Sequence, residues 1–253
     1  MTDELPPSVA EVVARIEAPP PAGDVVDLPG DVTGSLADLL GWWRALSADR
    51  RPLPARISVG TQSLDVPAAL SAGITAADAA IDSGKNLIVP RVDTRDDLTA
   101  RAVISLLTRR EASRVLHQPA GVTDRDWMSA CASVRDRSAE ATEHRGSPVD
   151  LLDALGATAI AAAVGVLLGA AARRTPCLVD GTDELAAALV ADRLCFRAKA
   201  WWRAASDSPD PGRIAAIERM DLTAGLTLML TDDVGRGADA TLALLDLLSE
   251  PVD

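Results

Sequence analysis

Lysine is almost absent from this chain. Lys85 and Lys199 are the only two in 253 residues, so most positive charge is arginine, and the formal net charge is −12. An acidic protein of this kind repels phosphate backbones, which argues against nucleic-acid binding and leaves anionic small ligands to local groups of arginine. Cysteine is scarce as well. Cys131, Cys177 and Cys195 are odd in number, far apart and without a CxxC pair. That spacing excludes a disulfide framework or a zinc site and fits a reducing compartment. His117 and His144 lack a paired Cys or Ser in any catalytic arrangement, so no metal and no cofactor is expected. The N-terminal MTDELPPSVAEVV carries no apolar signal core, and a cytoplasmic location is the expectation.

What the chain has in quantity is alanine, concentrated in ALGATAIAAAVGVLLGAAARRTPCLVDG from Ala154 to Gly181. Between Ala154 and Ala172 there is no charge, so a helix here has no polar face for water and must be buried. Its length approaches the roughly 20 residues of a membrane span. Composition decides against one: small residues dominate, the insertion energy is weak, and Arg173-Arg174 leads at once into a short apolar run, Cys177 to Val179, closed by Asp180-Gly181. This reads as helix, buried strand and turn in a soluble α/β core, with no membrane partner.

Other segments repeat that alternation. Ser8-x-x-Glu11 has capping-box spacing for a first helix to about Glu17, and Pro19-Pro20-Pro21 stops it. The Gly-, Pro- and Asp-rich stretch from Ala22 to Val32 reads as a linker. Leu36, Leu39, Leu40, Trp43 and Leu46 share a helical spacing, and the adjacent Trp42 and Trp43 suit an exposed interface contact. Ala55–Val59, Asn86–Pro90, Cys177–Val179, Ala198–Trp202 and Leu226–Leu230 are short apolar runs. Between them lie helices opened by Asp65, Thr94-x-x-Asp97, Thr123, Ser147 and Asp210, with Gly84 as a stop. The pattern predicts an α/β fold: a doubly wound, mainly parallel sheet flanked by helices, with a small helical N-terminal part. Residues 1–54 form the helical segment and linker, and 55–253 the α/β domain. Ligands of such sheets sit beyond the carboxyl ends of the strands, which singles out the loops Pro90–Asp97, Asp180–Glu184 and Thr231–Asp239.

At these loops the sequence resembles the nicotinate-nucleotide:dimethylbenzimidazole phosphoribosyltransferases, which activate the lower ligand of cobalamin. LLGAAARRTPCLVDG is similar to the family's helix-strand segment GAAARR-x-P-x-x-x-DG, and Pro211-Gly212 to its PG turn. Gly235-Arg236-Gly237-Ala238-Asp239-Ala240 lies where the family has GEGTGA. Upstream, Ser71-Ala72-Gly73-Ile74, Gly121-Val122-x-Asp124 and Thr33-Gly34-Ser35-Leu36 resemble EAGI, TGVDD and PGSL. After Val59-Gly60 the family continues through ADHGV and a long segment, whereas this chain goes directly to Thr61-Gln62-Ser63.

The resemblance implies a reaction in which a benzimidazole nitrogen displaces nicotinate from C1′ of nicotinate mononucleotide, with the glutamate of GEGTGA as general base. That glutamate falls on Arg236, and the glutamate of a second loop, GEMGIGNTT, falls on Arg91. A guanidinium stays protonated and has no lone pair to accept a proton. One reading is therefore a catalytically degenerate member acting as a partner or regulatory subunit, as a homodimer or a heterodimer with a full-length paralogue. An active phosphoribosyltransferase with a rearranged site is a second, and needs Asp93 or Asp233 as replacement base. A sensor of a nucleotide or anionic metabolite is a third. The ligand-binding candidates are Arg91, Asp93, Asp180, Gly181, Gly235, Arg236 and Gly237. Paired with neighbouring aspartates, Arg91 and Arg236 would instead contribute about 0–1 kcal/mol each and need no functional reason. The same aspartates could alternatively gather around Mg²⁺.

Overall fold

A computed structural model describes residues 5–19, 33–47, 51–93, 97–230 and 235–249. The linker from Ala22 to Val32, Thr94 and Asp233 lie outside the described residues. Five parallel strands make one sheet, ordered β1 (Pro54–Ile57), β2 (Leu87–Pro90), β3 (Cys177–Val179), β4 (Trp202–Ser206) and β5 (Ala224–Leu226). The helices are α1 (Pro7–Arg15), α2 (Ser35–Leu46), α3 (Val66–Asp82), α4 (Leu98–Thr108), α5 (Asp124–Glu140), α6 (Pro148–Ala154), α7 (Thr158–Ala172), α8 (Thr182–Leu194), α9 (Pro211–Met220) and α10 (Arg236–Ser249).

Helices lie on both faces of the sheet, as the alternating pattern predicts. Successive side chains of a strand point to opposite faces. Ile88, Cys177 and Val179 accordingly join the core built with α3, α4, α7, α8 and α9. Leu87, Val89 and Leu178 join a second core with Leu39, Leu40 and Trp43 of α2 and Leu242 and Leu245 of α10. Strand order follows chain order, so the sheet has no reversal to create a crevice within it. Its functional end is defined instead by the loops that follow the strands.

The alanine-rich run is buried as its composition requires. Ile160 to Ala171 of α7 are buried without a break, and no helix among the described residues is long and apolar enough to cross a membrane. Glycine lets α7 lie directly on α3. A Cβ at Gly165 would collide with the carbonyl oxygen of Leu70, and one at Gly73 with that of Ala162. Gly165→Ala gains about 1 kcal/mol of helix propensity and costs about 1–3 kcal/mol of overpacking. Because the obstacle is backbone, which cannot rotate aside, the cost should win. We expect a net loss of up to about 2 kcal/mol in urea unfolding, and a stability above that of the parent would show that the two helices can slide apart freely.

Four local expectations need correction. Ser8 does not cap α1: Pro6 is the N-cap, without a side-chain bond, and the Ser8 hydroxyl pairs with that of Ser71 on α3. The run Ala198–Trp202 is a 3-10 turn, Phe196–Trp201, and the strand starts only at Trp202. Leu226 ends β5 rather than beginning a strand. The tryptophan pair is not an exposed contact either. Trp43 is fully buried between α2 and the sheet, and Trp42 is half-buried with the Arg203 guanidinium 5.6 Å from its ring centre. Asp65, Thr123 and Asp210, by contrast, each accept a backbone N–H at the start of their helices.

Candidate functional site

Because the strands are parallel, their carboxyl ends deliver Pro90, Val179, Ser206 and Leu226 to one edge of the sheet. The described parts of the loops singled out from the sequence meet there. Asp180, directly after β3, is buried and accepts from two directions: Arg213 Nη2 of α9 at 2.8 Å and the backbone N–H of Ala238 at 2.9 Å, in the first turn of α10. A carboxylate against a helix N-terminus is favourable because the free N–H groups there carry partial positive charge. Gly237 must be glycine for this approach: a Cβ would sit 2.5 Å from Ser206 Oγ and 2.9 Å from Asp180 Oδ1.

On the other side, the β2 loop reaches α10 through Arg91. Its guanidinium lies against Gly235, where a Cβ would collide with Nη1, and Gly235 itself has a φ of 79°. Arg91 Nη1 is buried and has no hydrogen-bond partner among the described residues, and the same holds for Ser206 Oγ. The next residue, Val92, donates its N–H to Glu184 Oε1 at 2.9 Å. Glu184 is 2% exposed on the first turn of α8. Burial pushes its carboxyl up to about 8, against the opposing pull of the Val92 N–H, its own N–H and the charge of Arg91, with Asp183 acting in the same sense as burial.

The sequence candidates are thus only partly brought together. Arg91, Asp180, Gly235 and Gly237 meet at one edge. Gly181 sits at the N-cap of α8 with a φ of 115°. Arg236 opens α10 with an exposed side chain. Asp93 is exposed on the β2 loop and accepts from the Ser58 hydroxyl at 2.5 Å. Of the aspartates considered for Mg²⁺, Asp97 accepts from Arg101 and Asp239 pairs with Arg56, while Asp96, Asp232 and Asp233 fall outside the described residues. No group of three or more His, Cys, Asp or Glu among the described residues is placed to hold a metal ion.

Three participants escaped the sequence reading. Arg213 and Arg101 lie outside the loops singled out from the sequence, and their side chains are 1% and 8% exposed. Arg101 donates to Asp97 at 2.6 Å and to Asp210 at 2.9 and 3.2 Å, and Asp210 also receives the N–H groups of Gly212 and Arg213. Ser208 Oγ receives the Asp210 N–H and donates to the Leu230 carbonyl, tying the loop after β4 to the one after β5. The only sequence signal was the capping position of Asp210. Its partner, 109 residues away, leaves no local trace.

Comparison with known proteins agrees with the fold and the motifs. The phosphoribosyltransferase family profile matches residues 62–249. The nicotinate-nucleotide–dimethylbenzimidazole phosphoribosyltransferase of Streptomyces avermitilis is 40% identical over 182 residues, covering 71% of this chain and 48% of the relative. The protein of the same name from Mycobacterium tuberculosis is 33% identical over 258 residues, 96% of this chain and 69% of that one. The crystal structure of CobT from Thermus thermophilus superposes with a TM-score of 0.65 at 25% identity, over 73% of this chain and 55% of that one. The chain therefore spans about half the length of the Streptomyces avermitilis relative.

Proposed function

We propose, because the chain belongs to the phosphoribosyltransferase family, that it keeps the family's ligand end as a site for an anionic nucleotide and does not run the base exchange through the family's glutamate. It then serves cobalamin lower-ligand metabolism as a binding or partner subunit, self-associated or joined to a full-length paralogue. The observation that carries this reading is the charge at the start of α10. A helix N-terminus favours a carboxylate, and here the first residue is Arg236, with Arg91 pressed against the adjoining Gly235 from the opposite loop. Arg91 Nη1 is buried there without a hydrogen-bond partner among the described residues, and the positive end of the helix dipole disfavours a cation. A phosphate or carboxylate beside it supplies that partner, through charge-assisted hydrogen bonds.

The chemistry points the same way. Displacement of nicotinate by a benzimidazole nitrogen releases a proton from that nitrogen, and a guanidinium has no lone pair to take it. Asp180 is committed to Arg213 and the Ala238 N–H, and Glu184 is buried behind Val92. The second reading, an active transferase, rests on Asp93, which is exposed on the same loop as Arg91.

Incubation with nicotinate mononucleotide and dimethylbenzimidazole, read by mass detection, should give no ribazole phosphate above a no-protein blank. Saturable binding of nicotinate mononucleotide should persist and weaken about tenfold in Arg91→Gln, one lost charged hydrogen bond being worth about 1.5–3 kcal/mol. Product that disappears in Asp93→Asn would establish the second reading instead. Absence of binding by folded protein would remove the first.

A further inference from the structure

The opposite end of the sheet carries a second concentration of positive charge. Helices α4, α8 and α9 run antiparallel to the strands, so their C-termini gather below the strands' amino ends, and each bears an arginine there: Arg109 at the C-cap of α4, Arg193 and Arg219 in the last turns of α8 and α9. Two adjoining cavities share Arg193 and Arg219. One, about 440 Å³, is also lined by Asp192, Phe196 and Lys199, and the other, about 140 Å³, by Arg109 and Arg145.

Arginine at a helix C-terminus has an ordinary explanation, since it complements the dipole. Here the magnitudes leave a surplus. Three helix ends supply about half a negative charge each, and among the described residues Asp192 is the only carboxylate lining either cavity, against four arginines and Lys199. Among the described residues the side chains of Arg109, Arg145, Arg193 and Arg219 make no hydrogen bond or close ion pair, and the charges of Lys199, Arg219 and Arg193 act together on the one carboxylate, Asp192. In a chain of net charge −12, such a group of cations without close partners is set against the average. The far end of the cleft is different in kind. Phe196 is 69% exposed, with Lys199 Nζ 4.5 Å from its ring centre, and Asp192 Oδ1 is buried without a hydrogen-bond donor among the described residues.

We propose that this cleft binds a nucleoside diphosphate, with the diphosphate among Arg193, Arg219, Arg145 and Arg109, the base on the Phe196 ring and a ribose hydroxyl donating to Asp192. Arginine forks match phosphate oxygens bidentately, and a base on an aromatic face adds stacking energy that inorganic phosphate cannot collect. The cleft lies at the end of the sheet opposite Arg91 and Gly235, so its occupancy is independent of the reading given for that site.

The test is calorimetric titration of the full chain with ADP, inorganic pyrophosphate and inorganic phosphate. With the Arg91 end filled by saturating nicotinate mononucleotide, ADP should bind saturably with 1:1 stoichiometry, more tightly than pyrophosphate. Arg193→Gln combined with Arg219→Gln should weaken it at least tenfold, and Phe196→Ala three- to tenfold. Both arginines and Phe196 are exposed, so the variants should melt with the parent. ADP binding kept at full strength in the double variant would place the nucleotide outside this cleft and overturn the proposal. Equal affinity for ADP and pyrophosphate would overturn the nucleoside assignment, and a response that never saturates would overturn the site itself.

Discussion

Asp210→Ala should be among the most destabilising single changes in this protein, costing about 3–5 kcal/mol. Three losses coincide at one carboxylate. Arg101, itself nearly buried, loses its two-pronged partner and keeps Asp97 and the Val115 carbonyl, so a guanidinium is left under-compensated away from water. The Gly212 and Arg213 N–H groups at the start of α9 lose their acceptor, a cap worth about 1 kcal/mol. Removal of one member of a buried ion pair exceeds the worth of the pair because the stranded charge still bears its desolvation cost. For a chain of this size the midpoint should fall by about 10 °C or more. Calorimetric melting of Asp210→Ala beside Arg101→Met and the double variant checks the cause. The double variant should be more stable than Asp210→Ala alone, because no buried charge remains unpaired. Additive losses in that cycle would mean that the cap, and not the ion pair, carries the effect.

The contrast between Asp210 and its partner shows what the sequence could express. Segments governed by short-range rules were legible: the uncharged run that becomes α7, the short apolar runs of β2 and β3, and the caps at Asp65, Thr123 and Asp210. Each depends on residues within one or two turns. The misplaced strand is equally instructive. Ala198 to Trp202 looks extended because alanine and tryptophan carry no turn signal, yet Ala198 and Trp201 bury their side chains from a 3-10 turn and the ladder starts only at Trp202. Tertiary burial overrode local preference there. At the candidate site, the loops after β2 and β3 were found by the parallel-sheet rule, and the glycines and arginines by family motifs. The pairs Arg213 with Asp180 and Arg101 with Asp210, and the bond from Val92 to Glu184, join residues 33, 109 and 92 positions apart. Nothing in a single sequence marks such partners, since an arginine that is buried and paired is spelled like one in water.

Glu184 supplies the second large effect, and its sign is opposite to that of most carboxylates. A salt-bridged acid has a depressed value and stabilises the fold as pH rises. This carboxyl is raised from 4.5 to about 8, because burial penalises the ionised form more than the Val92 N–H and Arg91 favour it. Between those values the folded protein holds a proton that the unfolded chain has released. Stability is therefore fully present below about pH 4.5 and is lost as pH climbs through 8, by about 4 kcal/mol. Glu184→Gln keeps a carbonyl oxygen for the Val92 N–H and cannot ionise. It should be more stable than the parent by about 4 kcal/mol at about pH 8 and nearly equal to it at about pH 4.5. Urea unfolding of both proteins from about pH 4.5 to 8.5 isolates this group, since all other titrations are common to the pair, and parallel curves would show that Glu184 is ionised in the fold. The same proton bears on the site. A neutral Glu184 does not compete for the Arg91 charge and leaves that guanidinium, with its buried Nη1 unpartnered among the described residues, to an anion. Above about pH 8 an ionised Glu184 would draw on it, so anion affinity in the parent should fall across the interval in which the stability falls, and Glu184→Gln should hold it constant.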